Sequence, residues 1–190
     1  MSWLIDWLVA EFSNPLNAVA QIVGIIPLTL AFFTFLSNDR RRVIGIKITT
    51  DLLWTLHYFL LGEVVGGAVN GINTVRNTVF SQKGRRRWAS RTYILVIFCI
   101  LIALTSLLRW QEWYSFLPML GSILAAVGFW CSDAQNIRKF NLPAISLWLV
   151  YSLITGSISG TLCNVLSIAS ILIAWNKKDE KEKREETVGE

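Results

Sequence analysis

The chain has 190 residues, of which 53% are hydrophobic and 16% charged, and its mean hydropathy is +0.48. Soluble domains carry about 25% charged residues and show polar helix faces, so the composition excludes an ordinary soluble fold. The formal net charge of +5 comes from short basic clusters between apolar runs, a pattern set by membrane topology and not by nucleic-acid binding.

Residues 1–16 have no basic n-region and no clear cleavage site, which argues against a signal peptide. Trp3, Leu4, Trp7 and Leu8 recur at helical spacing around Asp6 and predict a short interfacial helix. Apolar spans follow at about 17–36, 44–61 and 64–81. A basic stretch separates these from spans at about 92–109, 114–131, 142–156 and 158–175. Residues 176–190 form a charged tail expected to be solvated and partly disordered. Cys99, Cys131 and Cys163 lie in or at apolar stretches, and with one histidine they make no zinc pattern, so no metal or cofactor is expected.

Basic residues alternate between connections. Arg40, Arg41, Arg42 and Lys47 follow the first span, Lys83 to Arg91 the third, Arg138 and Lys139 the fifth, and Lys177 and Lys178 the seventh. Seven spans put all of these on one side, which the positive-inside rule makes cytoplasmic, with the N-terminus outside.

The chain repeats itself at an offset of 94 residues. Phe35, Asp39, Leu53, Trp54, Gly62, Gly66 and Asn70 meet Phe129, Asp133, Leu147, Trp148, Gly156, Gly160 and Asn164 without a gap. Apolar bias does not supply Trp, Gly and Asn in one register. The expected fold is therefore all-α with seven transmembrane helices. Two parallel three-helix repeats, 17–81 and 114–175, flank a basic loop and linker helix at 82–113.

Asn70 and Asn164 each follow a tryptophan by 16 residues. An amide in an apolar bundle either glues helices together or faces a polar ligand in a central cavity. Trp54 and Trp148 either pack or stack on a substrate body. Asp51, Trp54 and His57 share one face of the second span, and Asn70, Asn73 and Arg76 share one face of the third. The depths of Asp51 and Arg76 suit an ion pair, either structural or an anion anchor or gate. His57, matched by Tyr151, either packs or carries a coupled proton.

The stretch Asp51–Phe80, DLLWTLHYFLLGEVVGGAVNGINTVRNTVF, resembles the YgjV-type family of bacterial inner membrane proteins, as does Trp148–Thr161 with its GSISGT turn. More distantly, the 3+1+3 layout is similar to the SWEET and SemiSWEET transporters of the PQ-loop superfamily. By that resemblance Trp54, Asn70, Trp148 and Asn164 line a central substrate pocket. The Pro-Gln signature itself is absent, with Ala134-Gln135 in its neighbourhood. The expected function is a small-solute transporter for a sugar, organic acid or other small polar metabolite, working by alternating access. The other reading is a non-transporting receptor or assembly factor in the same bilayer. No HExxH pair or retinal-binding lysine on the seventh span points to an enzyme or photoreceptor.

Overall fold

The computed structural model describes residues 14–108 and 112–189. Among the described residues there are seven α-helices and no strand. They are α1 (Pro15–Thr34), α2 (Arg40–Leu60), α3 (Val64–Ser81), α4 (Thr92–Leu108), α5 (Phe116–Trp130), α6 (Ala134–Ile154) and α7 (Ile158–Gly189). The interfacial helix expected in residues 1–16 lies largely outside the described residues.

Local chemistry sets the helix ends. Asn14 caps α1, its side chain accepting from the Leu16 N–H at 3.0 Å, with Pro15 in the first turn, where its missing donor costs nothing. Asp39 caps α2 by accepting from the Arg41 N–H at 2.9 Å, and Asp133 caps α6 by accepting from the Asn136 N–H at 3.2 Å. These caps start the two helices four and eight residues earlier than the apolar spans suggest. Pro143 therefore lies inside α6. The α7 backbone stays helical to Gly189, through the tail expected to be solvated and partly disordered. Lys, Glu and Arg are strong helix formers, and a long apolar helix already nucleated in the bilayer extends through them.

The repeat offset reappears in these bounds. Helices α2 and α6 start 94 residues apart and end 94 apart, and α3 and α7 start 94 apart. The turn glycines Gly62 and Gly156 both take positive φ, 80° and 70°. Packing follows the same pattern: α1 on α2, α2 on α3 and α3 on α5 match α5 on α6, α6 on α7 and α7 on α1. Helix α4 packs only at the periphery, against α3 and α5, through Phe98, Ile102 and Ser106.

Among the described residues three helical stretches are long and apolar enough to cross a bilayer: Pro15–Thr34, Trp113–Trp130 and Ile158–Asn176; Thr92–Leu108 is apolar but shorter. Their outer faces carry exposed large side chains, such as Ile22, Ile25, Ile26 and Phe33 on α1 and Val96, Ile100 and Leu104 on α4. A water-soluble chain does not leave such continuous apolar surface uncovered, whereas lipid covers it at no cost. The interior is the polar part. Gln21, Asp51, His57, Asn70, Asn73, Arg76, Asn77 and Asn141 are all buried.

Candidate functional site

Helix α3 brings Asn70, Asn73, Arg76 and Asn77 to its buried side. Helix α2 opposes them with Thr50, Asp51 and Trp54. Between them and α1, α5, α6 and α7 lies a cavity of about 70 Å³. At 10–15 Å³ per water it has room for about five waters. Three helices from each half line it, and α4 contributes nothing.

Most lining residues come in pairs 94 apart. Ala31 and Ala125, Phe35 and Phe129, and Trp54 and Trp148 supply matched apolar walls. Asn70 and Asn164, and Asn73 and Ser167, supply matched polar positions. Three further pairs differ in kind: Lys47 faces Asn141, Thr50 faces Ala144 and Asp51 faces Ile145 in the register. All lining charge thus comes from the first half.

The amides are half engaged. Asn70 Nδ2 donates back to the Gly66 carbonyl at 2.9 Å, and Asn164 Nδ2 donates to Ser152 Oγ at 3.1 Å. Among the described residues neither amide oxygen takes a protein donor. Both therefore keep acceptor capacity on residues that line the cavity.

The expected direct pair of Asp51 and Arg76 does not form. Arg76 Nε and Nη2 donate to Asn77 Oδ1 at 3.2 and 3.1 Å, and Asn77 Nδ2 donates to Asp51 Oδ2 at 2.7 Å. Asp51 Oδ1 instead pairs with Lys47 Nζ at 2.6 Å, one turn earlier on the same helix. The depths of the two residues match, but the Asn77 amide fills the gap between the helices. Arg76 Nη1 completes its set on Asn73 Oδ1 at 2.8 Å and the Ser122 carbonyl at 2.9 Å. Lys47, Asn77 and Ser122 were not expected at the site. Lys47 reads as a loop cation from charge clustering alone, although the repeat register pairs it with cavity-lining Asn141.

His57 and Tyr151 lie outside the cavity lining. His57 Nδ1 donates to the Ala20 carbonyl at 2.8 Å, which leaves Nε2 to accept from Ser157 Oγ at 2.7 Å. Tyr151 donates to Glu63 Oε2 at 3.0 Å and meets Tyr58 at a tilt and Trp148 edge to face, ring centres 5.6 Å away in each case. Tyr58 lines the cavity and bonds Ser152 Oγ at 2.9 Å, so these rings cluster at the end near the turns after α2 and α6. Glu63 sits in the first of those turns, and burial pushes its carboxyl above the usual carboxylate range against the opposing bond from Tyr151.

At the opposite end two arginines cross between the halves. Arg40, the first residue of α2, donates to the Phe129 and Cys131 carbonyls at the end of α5 (3.1 and 3.0 Å) and to the Phe80 carbonyl at 3.1 Å. Arg138 on α6 donates to the Phe35 and Ser37 carbonyls after α1 (3.0 and 3.3 Å) and to Asn38 Oδ1 at 2.7 Å. Both reach carbonyls at helix ends, where the helix dipole favours a cation. Lys83 adds a bond to the Trp130 carbonyl and lies over the Trp130 ring, 4.0 Å from its centre.

A lipid-facing exterior around a polar cavity defines a polytopic helical membrane protein with an internal site. The model of a family described as bacterial inner membrane protein, Imp-YgjV, matches residues 18–182. The chain belongs to that family. It is 26% identical over 144 residues to inner membrane protein YgjV of Escherichia coli (strain K12), covering 76% of this chain and 75% of that one. No solved structure matches it.

Proposed function

We propose that the chain is a small-solute carrier of the inner membrane that binds its solute in the central cavity and works by alternating access. In this reading α1–α3 and α5–α7 are parallel repeats about an axis along the membrane normal, and α4 is the linker that restores orientation. The N-terminus is outside, and the basic connections and tail are cytoplasmic. The chain binds and moves its solute without chemical change. The observation that carries the reading is the cavity wall: its residues pair at the repeat offset, as a solute site on a shared axis requires. Trp54 and Trp148 offer faces to the solute body, and Asn70 and Asn164 offer amide oxygens to its donors.

The test is uptake into proteoliposomes of labelled sugars, short organic acids and amino acids. Asn70→Ala with Asn164→Ala is expected to lower uptake of the accepted solute about tenfold or more, since each lost polar contact to a bound solute costs about 1 kcal/mol. Wild-type inactivity across all three classes defeats the proposal. One observation favours a second reading, a receptor or assembly factor: the charged helical extension of α7 offers a partner or anionic lipid a place to dock. Capture of one stoichiometric partner, lost on truncation after Asn176, with no uptake, would favour that reading.

A further inference from the structure

Arg76 is 1% exposed, and its hydrogen bonds run only to neutral oxygens: two amide oxygens and one carbonyl. A guanidinium has five N–H donors, and the four contacts to Asn77, Asn73 and Ser122 leave one on Nη2. The Phe129 and Phe80 rings lie 5.6 and 6.0 Å from its central carbon, so aromatic carbon walls the guanidinium in. Arg76 nevertheless lines the cavity.

The charges do not balance. Among the described residues that line the cavity, Lys47 and Arg76 are cations and Asp51 is the acid. Asp51 lies against Lys47 at 2.6 Å and meets Arg76 only through the Asn77 amide. One positive charge is left uncompensated in the wall of a small cavity within an apolar bundle, where an unpaired ion is costly. A neutral solute leaves that cost in place, and a dianion replaces it with the opposite excess. A solute with one negative charge removes it.

We infer that the solute is a short monocarboxylate whose carboxylate docks at Arg76, an assignment that rests on the carrier reading and names its substrate class. A carboxylate accepts the remaining Nη2 hydrogen in a charge-assisted bond. The space of about five waters limits the anion to roughly six non-hydrogen atoms, the size of a two- or three-carbon acid. Trp54, Trp148 and Cys163 give its carbon end an apolar wall.

The test uses the full chain in nanodiscs of zwitterionic lipid, with thermal unfolding and reconstituted uptake as readouts. The probes are sodium acetate, sodium lactate, sodium chloride, disodium succinate and glucose. Acetate or lactate is expected to raise the apparent Tm saturably and to be taken up, while chloride, succinate and glucose do neither. Arg76→Gln should weaken half-maximal protection about tenfold or more, as loss of a charge-assisted contact does. Asn73→Asp guards against a simple folding defect. It places a carboxylate where Asn73 Oδ1 already accepts from Arg76 at 2.8 Å, and the Ser122 hydroxyl can turn to donate to it. This variant should keep the ligand-free Tm and lose the response to acetate and lactate. Retained protection in Asn73→Asp, or equal protection of the wild type by chloride, overturns the assignment. Protection and uptake of glucose alone overturn it while leaving the carrier reading standing. Binding and uptake of none of the probes, nor of any solute in the wider uptake panel, defeats both.

Discussion

Both ring nitrogens of His57 are held by packing partners, Ala20 on α1 and Ser157 in the turn before α7, and the ring is fully buried. A histidine so placed ties three helices together and has no nitrogen left for a solute. His57→Phe should lower the unfolding free energy by about 1–3 kcal/mol, the cost of unpaired buried polar groups, and leave the half-saturating solute concentration unchanged. Glu63 gives a pH signature. Its folded carboxyl titrates above the ordinary 4.5, so the folded chain holds a proton that the unfolded chain has released. The associated stability is complete below 4.5 and is lost as pH rises through the folded value. Melting curves across that window should fall in Tm for the wild type, and Glu63→Gln should remove this component of the slope. Single residues are unevenly legible in the sequence. The offset of 94 singles out Trp54, Asn70, Trp148 and Asn164, all of which line one cavity. It says nothing of Asn77, because helix spacing predicts which residues share a face, not which side chain reaches across to the next helix.

Helices α1 and α7 approach closely where Gly24 meets Ser159. A Cβ on Gly24 would stand 2.2 Å from Ser159 Oγ and 2.6 Å from its Cβ, so one helix must shift. Gly45 on α2 is the counter-case, with nothing within 4 Å of its added Cβ. Gly24→Ala is expected to destabilise by about 1–3 kcal/mol through overpacking, and Gly45→Ala to stabilise by about 0.5–1 kcal/mol through helix propensity. Opposite shifts in apparent Tm check both, and two shifts of the same sign would contradict the packing of α1 on α7. Helix existence is well read from apolar runs, and so are the starts of α3, α4 and α7 at 64, 92 and 158, but the starts of α2 and α6 are not. A hydropathy run marks where the bilayer begins, whereas a helix starts at its cap. Asp39 and Asp133 begin α2 and α6 in the polar region, and hydropathy has no term for that. The peripheral place of α4 is likewise invisible in a uniformly apolar segment, since nothing in it marks an inner face.

Across the whole molecule, the Arg40 and Arg138 bonds form a pair of cross-links between the halves. Each arginine starts in one half and holds carbonyls at the end of the other half's first helix, Phe129 for Arg40 and Phe35 for Arg138. Those two phenylalanines are partners in the repeat and both line the cavity. The same residues therefore shape the cavity and hold the arginine cross-links at one end. In the proposed carrier these bonds would break to open that end, with the Tyr58–Trp148–Tyr151 ring cluster at the other. Cys163 reports on the opening: it lines the cavity and is 7% exposed. In a Cys99→Ser, Cys131→Ser background, an impermeant maleimide should label Cys163 slowly. Arg138→Gln should speed labelling about tenfold from the face bearing the basic connections, the factor that follows from losing about 1.5 kcal/mol of charged hydrogen bonding. Labelling from the opposite face should not change. Acceleration from that opposite face would mean that the arginines do not close this end, and an unchanged rate from both would mean that the two cross-links are structural caps and not a gate.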